Sequence, residues 1–132
     1  MNTFSYCFVE PMRKYAVFSG RAGRKEYWVF TLIMAIIYYV ISLSEMAVTG
    51  QKAPEFSIAG TLFLLATLCP TIAVSVRRLH DRDKSGWLFL LFFLPLVGTI
   101  IMLALMIPKG TEGNNRFGPD PLAPAIPVNP VT

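Results

Sequence analysis

Arg77-Arg78-Leu79-His80-Asp81-Arg82-Asp83-Lys84-Ser85-Gly86 sets seven charged or titratable side chains between two long runs that hold none. Upstream, Phe56 to Val76 is 21 residues without a charge, and downstream Trp87 to Ile107 is another 21. At a rise of about 1.5 Å per residue, each run builds a helix of roughly 31 Å, which matches the hydrocarbon core of a bilayer. The decapeptide therefore reads as a short polar loop at one membrane face. Its cations complement the end of the second span, and Ser85 is placed to cap the third.

Composition agrees with a membrane chain. Hydrophobic residues make up 54% of the 132 positions and charged residues 15%, against about 25% charged in soluble domains; mean hydropathy is +0.52. The expectation is one all-α membrane domain over residues 1–121, with three transmembrane helices at about 27–48, 56–76 and 87–107, preceded by a short amphipathic surface helix. A Pro-rich tail, 122–132, is expected to be disordered. The net charge of +4 would suggest nucleic acid in a soluble protein. Here the basic residues flank apolar runs, where orientation signals sit, so nucleic acid is not an expected partner. Cys7 and Cys69 are far apart and outside any C-x-x-C pattern, so no disulfide is expected.

Ahead of the first span, Phe4, Phe8, Met12 and Tyr15 recur at helical spacing and form the apolar face of the surface helix, with Pro11 starting or kinking it. Gly20 and Gly23 permit a bend, and Glu26 stands where a capping-box carboxylate would reach a free amide. Gly50 to Glu55 supplies a polar turn. In the second span Gly60, Thr67, Thr71 and Ser75 share one face, the pattern of a helix-packing seam. Pro70 frees one backbone carbonyl, which the Thr67 or Thr71 hydroxyl is expected to occupy. The third run carries Leu94-Pro95-Leu96-Val97-Gly98-Thr99 at its middle. A kinked span is expected; the alternative is a hairpin that folds back, whose halves would each be too short to cross.

Known chemistries find little support. His80 is the sole histidine, so no His-rich metal site can form within one chain. Ser85 has no base arranged beside it, and phosphate-cradling glycine patterns are absent. No catalytic, metal or cofactor residue is expected, and the chain is not expected to be an enzyme.

Three separated patterns then converge. Phe18-x-Gly20-Arg21-x-x-Arg24-x-Glu26-Tyr27-Trp28, Arg77-Arg78-Leu79-His80-Asp81 with Ser85-Gly86-Trp87, and Gly113-x-Asn115-Arg116-Phe117-Gly118-Pro119-Asp120-Pro121 occur in this order. With these intervals the chain resembles the small bacterial inner-membrane proteins of domain-of-unknown-function family 805. That resemblance implies a bacterial inner (plasma) membrane location and no particular activity. Gly23, commonly Ser or Thr in that pattern, and Asn114, often acidic or Pro, are local departures.

Orientation follows from charge. The N-terminal segment and central loop carry nine Lys and Arg residues; the first loop and the C-terminal segment carry three. The N-terminus and central loop should therefore be cytoplasmic, and with three full spans the Asn115-Arg116-Phe117-Gly118 motif should lie outside. Two roles follow. In the first, the bilayer-embedded protein is non-enzymatic, and Arg21, Arg24, Glu26, Arg77, Arg78, His80 and Asp81 form a cytoplasmic face for a protein partner or anionic lipid. The alternative is a subunit of a small transporter or channel built as a homo-oligomer. Glu45, at the edge of the first span, is the one ionisable carboxylate or cation within the spans, which disfavours an ion carrier.

Overall fold

The computed structural model describes residues 2–50 and 57–123. The polar turn expected before the second span and nearly all of the Pro-rich tail lie outside the described residues. Secondary structure among those described is helical, apart from an isolated bridge between Asn115 and Gly118.

A π-helical stretch, Ser5–Val9, runs into α1 (Glu10–Arg13), with Pro11 in the first turn, where a missing N–H leaves few bonds unmade. Its apolar face is shared: Phe4, Met12 and Tyr15 are exposed, while one side packs on the protein. Phe8 lies 6.2 Å from Phe30, ring centre to ring centre, and Cys7 and Pro11 are buried.

The two longest helices are α2 (Arg24–Thr49) and α3 (Ile58–Asp81), of 26 and 24 residues, both long and apolar enough to cross a membrane. Gly50 ends α2 in the left-handed conformation at φ 68°, its N–H returned to Met46 O at 3.0 Å. Ser57 begins α3, its hydroxyl accepting from Gly60 N at 2.8 Å. Glu45 fastens the two helices at this end: it accepts from Ile58 N at 3.1 Å and from the Ser57 hydroxyl. A carboxylate read from sequence as peripheral is thus part of a helix cap.

The seam on α3 packs as expected. Gly60, Thr67 and Ser75 are buried, and a Cβ on Gly60 would sit 3.0 Å from the Tyr38 ring of α2. The carbonyl freed by Pro70 is that of Ala66, and neither threonine takes it. Thr67 bonds Phe63 O at 2.8 Å, while the Tyr15 hydroxyl, from the segment after α1, donates to Ala66 O at 2.5 Å. Tyr15 brings a donor 51 residues away in sequence to a carbonyl that lipid could not satisfy.

The third apolar run departs from a single span over 87–107. It forms a 3₁₀ helix, Gly86–Phe93, then a break, then α4 (Val97–Met106). Pro95 has no N–H to continue the ladder, Leu96 sits at φ 62°, and a Cβ on Gly98 would collide with the Leu91 carbonyl. The run therefore turns back on itself. At about 2.0 Å per residue for the 3₁₀ half and 1.5 Å for α4, each limb is roughly 15 Å long, half a hydrocarbon core. It starts beside the end of α3, and it finishes there too, because Arg78 bonds Met106 O at 3.0 Å. The expectation that the C-terminal motif lies across from the N-terminal segment is thereby corrected: the motif lies at the same end as Arg21, Arg78 and Asp81. Length counts against a fold-back at Pro95 to Gly98 because neither limb can cross alone, but a hairpin that enters and leaves at one face needs no crossing.

A small core gathers at this end. Ala22, Tyr27, Phe30, Val74, Leu79, Met102 and Met106 are buried together. Farther along α2 and α3, residues such as Leu32, Tyr39, Leu62 and Leu65 are exposed, as lipid-facing positions are.

Candidate functional site

The charged ends of α2 and α3 and the segment after α4 meet at Asp81, in the last turn of α3. Its Oδ1 accepts from Arg21 Nε at 3.0 Å and lies 2.9 Å from Arg21 Nη2; its Oδ2 pairs with Arg78 Nη1. Asp81 and Arg78 are 2% and 0% exposed. The enclosed carboxylate is bracketed by two guanidinium groups whose planar forks match its geometry. Gly110 is the residue that lets the loop pass, since a Cβ there would collide with the Asp81 carboxylate.

Both arginines also hold backbone. Arg21 donates to Gly113 O at 2.6 Å and Thr111 O at 2.5 Å. Arg78 reaches Met106 O through Nε at 3.3 Å and Nη2 at 3.0 Å, and Pro108 O through Nη2. Met106 ends α4, so Arg78 caps carbonyls that the helix cannot satisfy and complements its negative pole. In return, Asp81 O accepts from Thr111 N at 2.8 Å, and His80 O accepts from Asn115 Nδ2 at 2.9 Å. Each side of the junction closes the other's open backbone.

The remaining candidates divide. Arg77 pairs with Glu26 at 3.1 Å, both nearly fully buried, and leaves Nη2 without a partner among the described residues. Glu26 is therefore not the capping-box carboxylate expected from its spacing; Gly23 receives no side-chain cap. Tyr6, missed by sequence reading, sits against Glu26. Burial first, and then that carboxylate, push its phenol up to about 12, so it stays protonated. Arg24 is exposed and outside the network. Arg116 pairs with Asp83 at 3.2 Å, and Phe117 stacks on His80 with ring centres 3.9 Å apart. Gly118, at φ 135°, closes a tight turn in which Asn115 and Gly118 exchange bonds of 3.1 Å. The face expected to meet a partner is thus largely turned inward: of its seven residues, Arg24 alone is open to the surroundings. No group of three or more metal-ligating side chains occurs among the described residues.

All three sequence motifs share this one junction, and the family comparison covers the same ground. A family model described as protein of unknown function (DUF805) matches residues 15–119. The chain belongs to the DUF805 family. It is 45% identical to "Inner membrane protein YhaI" of Escherichia coli (strain K12), over 86% of this chain and 93% of that protein. "Inner membrane protein YhaH" of the same organism is 40% identical, over 86% and 94%. No solved structure matches. The resemblance carried by the three motifs therefore holds, and in this DUF805 protein they are three faces of one buried arginine–carboxylate junction. Thr111 and Gly110 belong to it as well; their place in a run of turn formers gave no signal beyond that of a loop.

Proposed function

We propose that this DUF805 protein is a non-enzymatic, multi-pass protein of the bacterial inner membrane, its N-terminus cytoplasmic, whose charged end engages anionic lipid headgroups. Location is supported by the relatives named inner membrane proteins. Orientation is supported by charge: eleven of the twelve Lys and Arg residues fall in the segments at the junction end, and Lys52 belongs to the opposite connection. Returning the C-terminal motif to the junction side strengthens the asymmetry.

One observation carries the lipid reading. Arg21, Arg77 and Arg78 are buried in the junction, whereas Arg24, Lys25 and Lys84 are exposed at the same end with no ion pair among the described residues. Three such cations beside an anionic leaflet contribute about 1 kcal/mol each. The test is lipid retention: protein purified from membranes in mild detergent is assayed for bound phosphatidylglycerol beside an Arg24→Glu, Lys25→Glu, Lys84→Glu variant. Wild type should carry a several-fold excess. Equal content in two equally folded proteins would remove the lipid role and assign this face to a protein partner.

A further inference from the structure

The three motifs contain residues that the arginine network does not use. Phe18 from the first, the His80 ring, Ser85, Gly86 and Trp87 from the second and Phe117 from the third line one cavity of about 580 Å³. That volume lies within the roughly 300–1,000 Å³ of small-molecule sites. The cavity opens beside α3 and the 3₁₀ helix, among exposed apolar residues such as Trp87 and Leu90.

Its polar side chains are Ser85, whose hydroxyl accepts from Trp87 N at 3.4 Å, and His80. The ring is held in plane by Phe117, 4° from parallel, and Nδ1 is 3.1 Å from Gly20 O. A carbonyl accepts only, so Nδ1 carries the proton and Nε2 presents a lone pair. Nε2 has no hydrogen-bond partner among the described residues, although His80 is only 8% exposed. It faces Gly86: a Cβ there would lie 3.3 Å from Nε2. The same Cβ would meet Val76 more closely, at 2.7 Å, so glycine lets the 3₁₀ helix start against α3 beside that nitrogen. Arg116, over the far ring of the stack, is engaged by Asp83.

We propose that this cavity binds one uncharged, hydroxyl-ended bilayer lipid of the diacylglycerol type, an acyl chain in the apolar space and its hydroxyl donating to His80 Nε2. Apolar walls set the chain, and Nε2, unpaired and open to the cavity, is placed to accept from a donor. A charged headgroup is disfavoured because the cavity offers no unpaired counter-charge to offset its lost hydration. The proposal is independent of Arg24, Lys25 and Lys84, and its probes are neutral.

Native mass spectrometry of the full chain in mild detergent tests it, with dioleoylglycerol as probe and its 3-acetyl ester, in which a small acetyl group replaces the donor hydrogen, as control. One saturable dioleoylglycerol per chain is expected, with the ester about tenfold weaker, the effect of one hydrogen bond. His80→Phe keeps the stack and should bind the two equally. Ile72→Trp and Leu90→Trp, filling the cavity from opposite walls, should each abolish the adduct; whichever keeps the wild-type thermal midpoint is decisive. Equal binding of probe and ester by wild type, or an undiminished adduct in a folded filled variant, would overturn the assignment.

Discussion

Replacing Asp81 by Asn keeps the shape of the junction and removes its charge. In the native protein the carboxylate receives Arg21 through Nε and Nη2 and Arg78 through Nη1. An asparagine oxygen can keep one of these arginines, but its amide N–H groups would face the other's N–H groups. Two buried guanidinium groups would then share no anion. Breaking a buried pair by removing one partner costs about 3–5 kcal/mol, a large share of the roughly 5–15 kcal/mol that holds a typical domain folded. The loss should be felt first where the arginines hold the backbone, in the segment from Met106 to Gly118. Two readouts follow. The thermal midpoint in detergent should fall by about 10 °C or more, and trypsin should cut at Lys109 and Arg116 many times faster than in wild type. A variant with unchanged midpoint and unchanged cleavage would refute the claim that this carboxylate organises the junction.

Tyr15→Phe should lower stability by about 1–3 kcal/mol, seen as a reduced thermal midpoint, because it strands the Ala66 carbonyl opposite Pro70; a wild-type midpoint would mean that another donor serves that carbonyl. A fluorescent reporter fused after Pro121 should be bright and a phosphatase in the same place silent, since the hairpin returns the chain to the side where it began; the reverse pattern would restore a third crossing.

Much of this architecture is written in local patterns. Two membrane-length helices follow from uninterrupted apolar length, the Gly60 to Ser75 seam from helical spacing, and the end of α2 from Gly50. What escaped depends on partners far apart in the chain. Glu26 satisfies the local capping rule, yet its partner is Arg77, 51 residues on, because a buried guanidinium is a stronger draw than a terminal amide. Pro70 promises a local hydroxyl and receives Tyr15. The third run is the clearest case. Its 21 uncharged residues suffice for a crossing, and hydropathy cannot register that Pro95, Leu96 and Gly98 let the backbone reverse. Nor has the contact from Arg78 to Met106 any period by which it could be read. The three motifs were legible as a set, and as one shared site only on the fold-back alternative that the length argument set aside.

A hairpin that enters and leaves at one face poses a problem that a full span does not. Its last carbonyls and the loop that follows lie against protein at the membrane boundary, where water cannot be counted on to pair them. Arg21 and Arg78 supply donors in fixed planar geometry to Met106, Pro108, Thr111 and Gly113. Asp81 then neutralises the arginines that do so. Buried ion pairs contribute little net stability compared with apolar packing of the same volume, but they penalise heavily any arrangement that separates them. A third helix run straight through the bilayer would draw Met106 and Thr111 away and leave Arg78 and Asp81 at the boundary without their backbone partners. These backbone contacts, more than the two loop cations Lys109 and Arg116, tie the segment to this end. The end of the molecule at which the described chain finishes is therefore set by hydrogen-bond geometry around Asp81, and the clustering of cations there agrees with it.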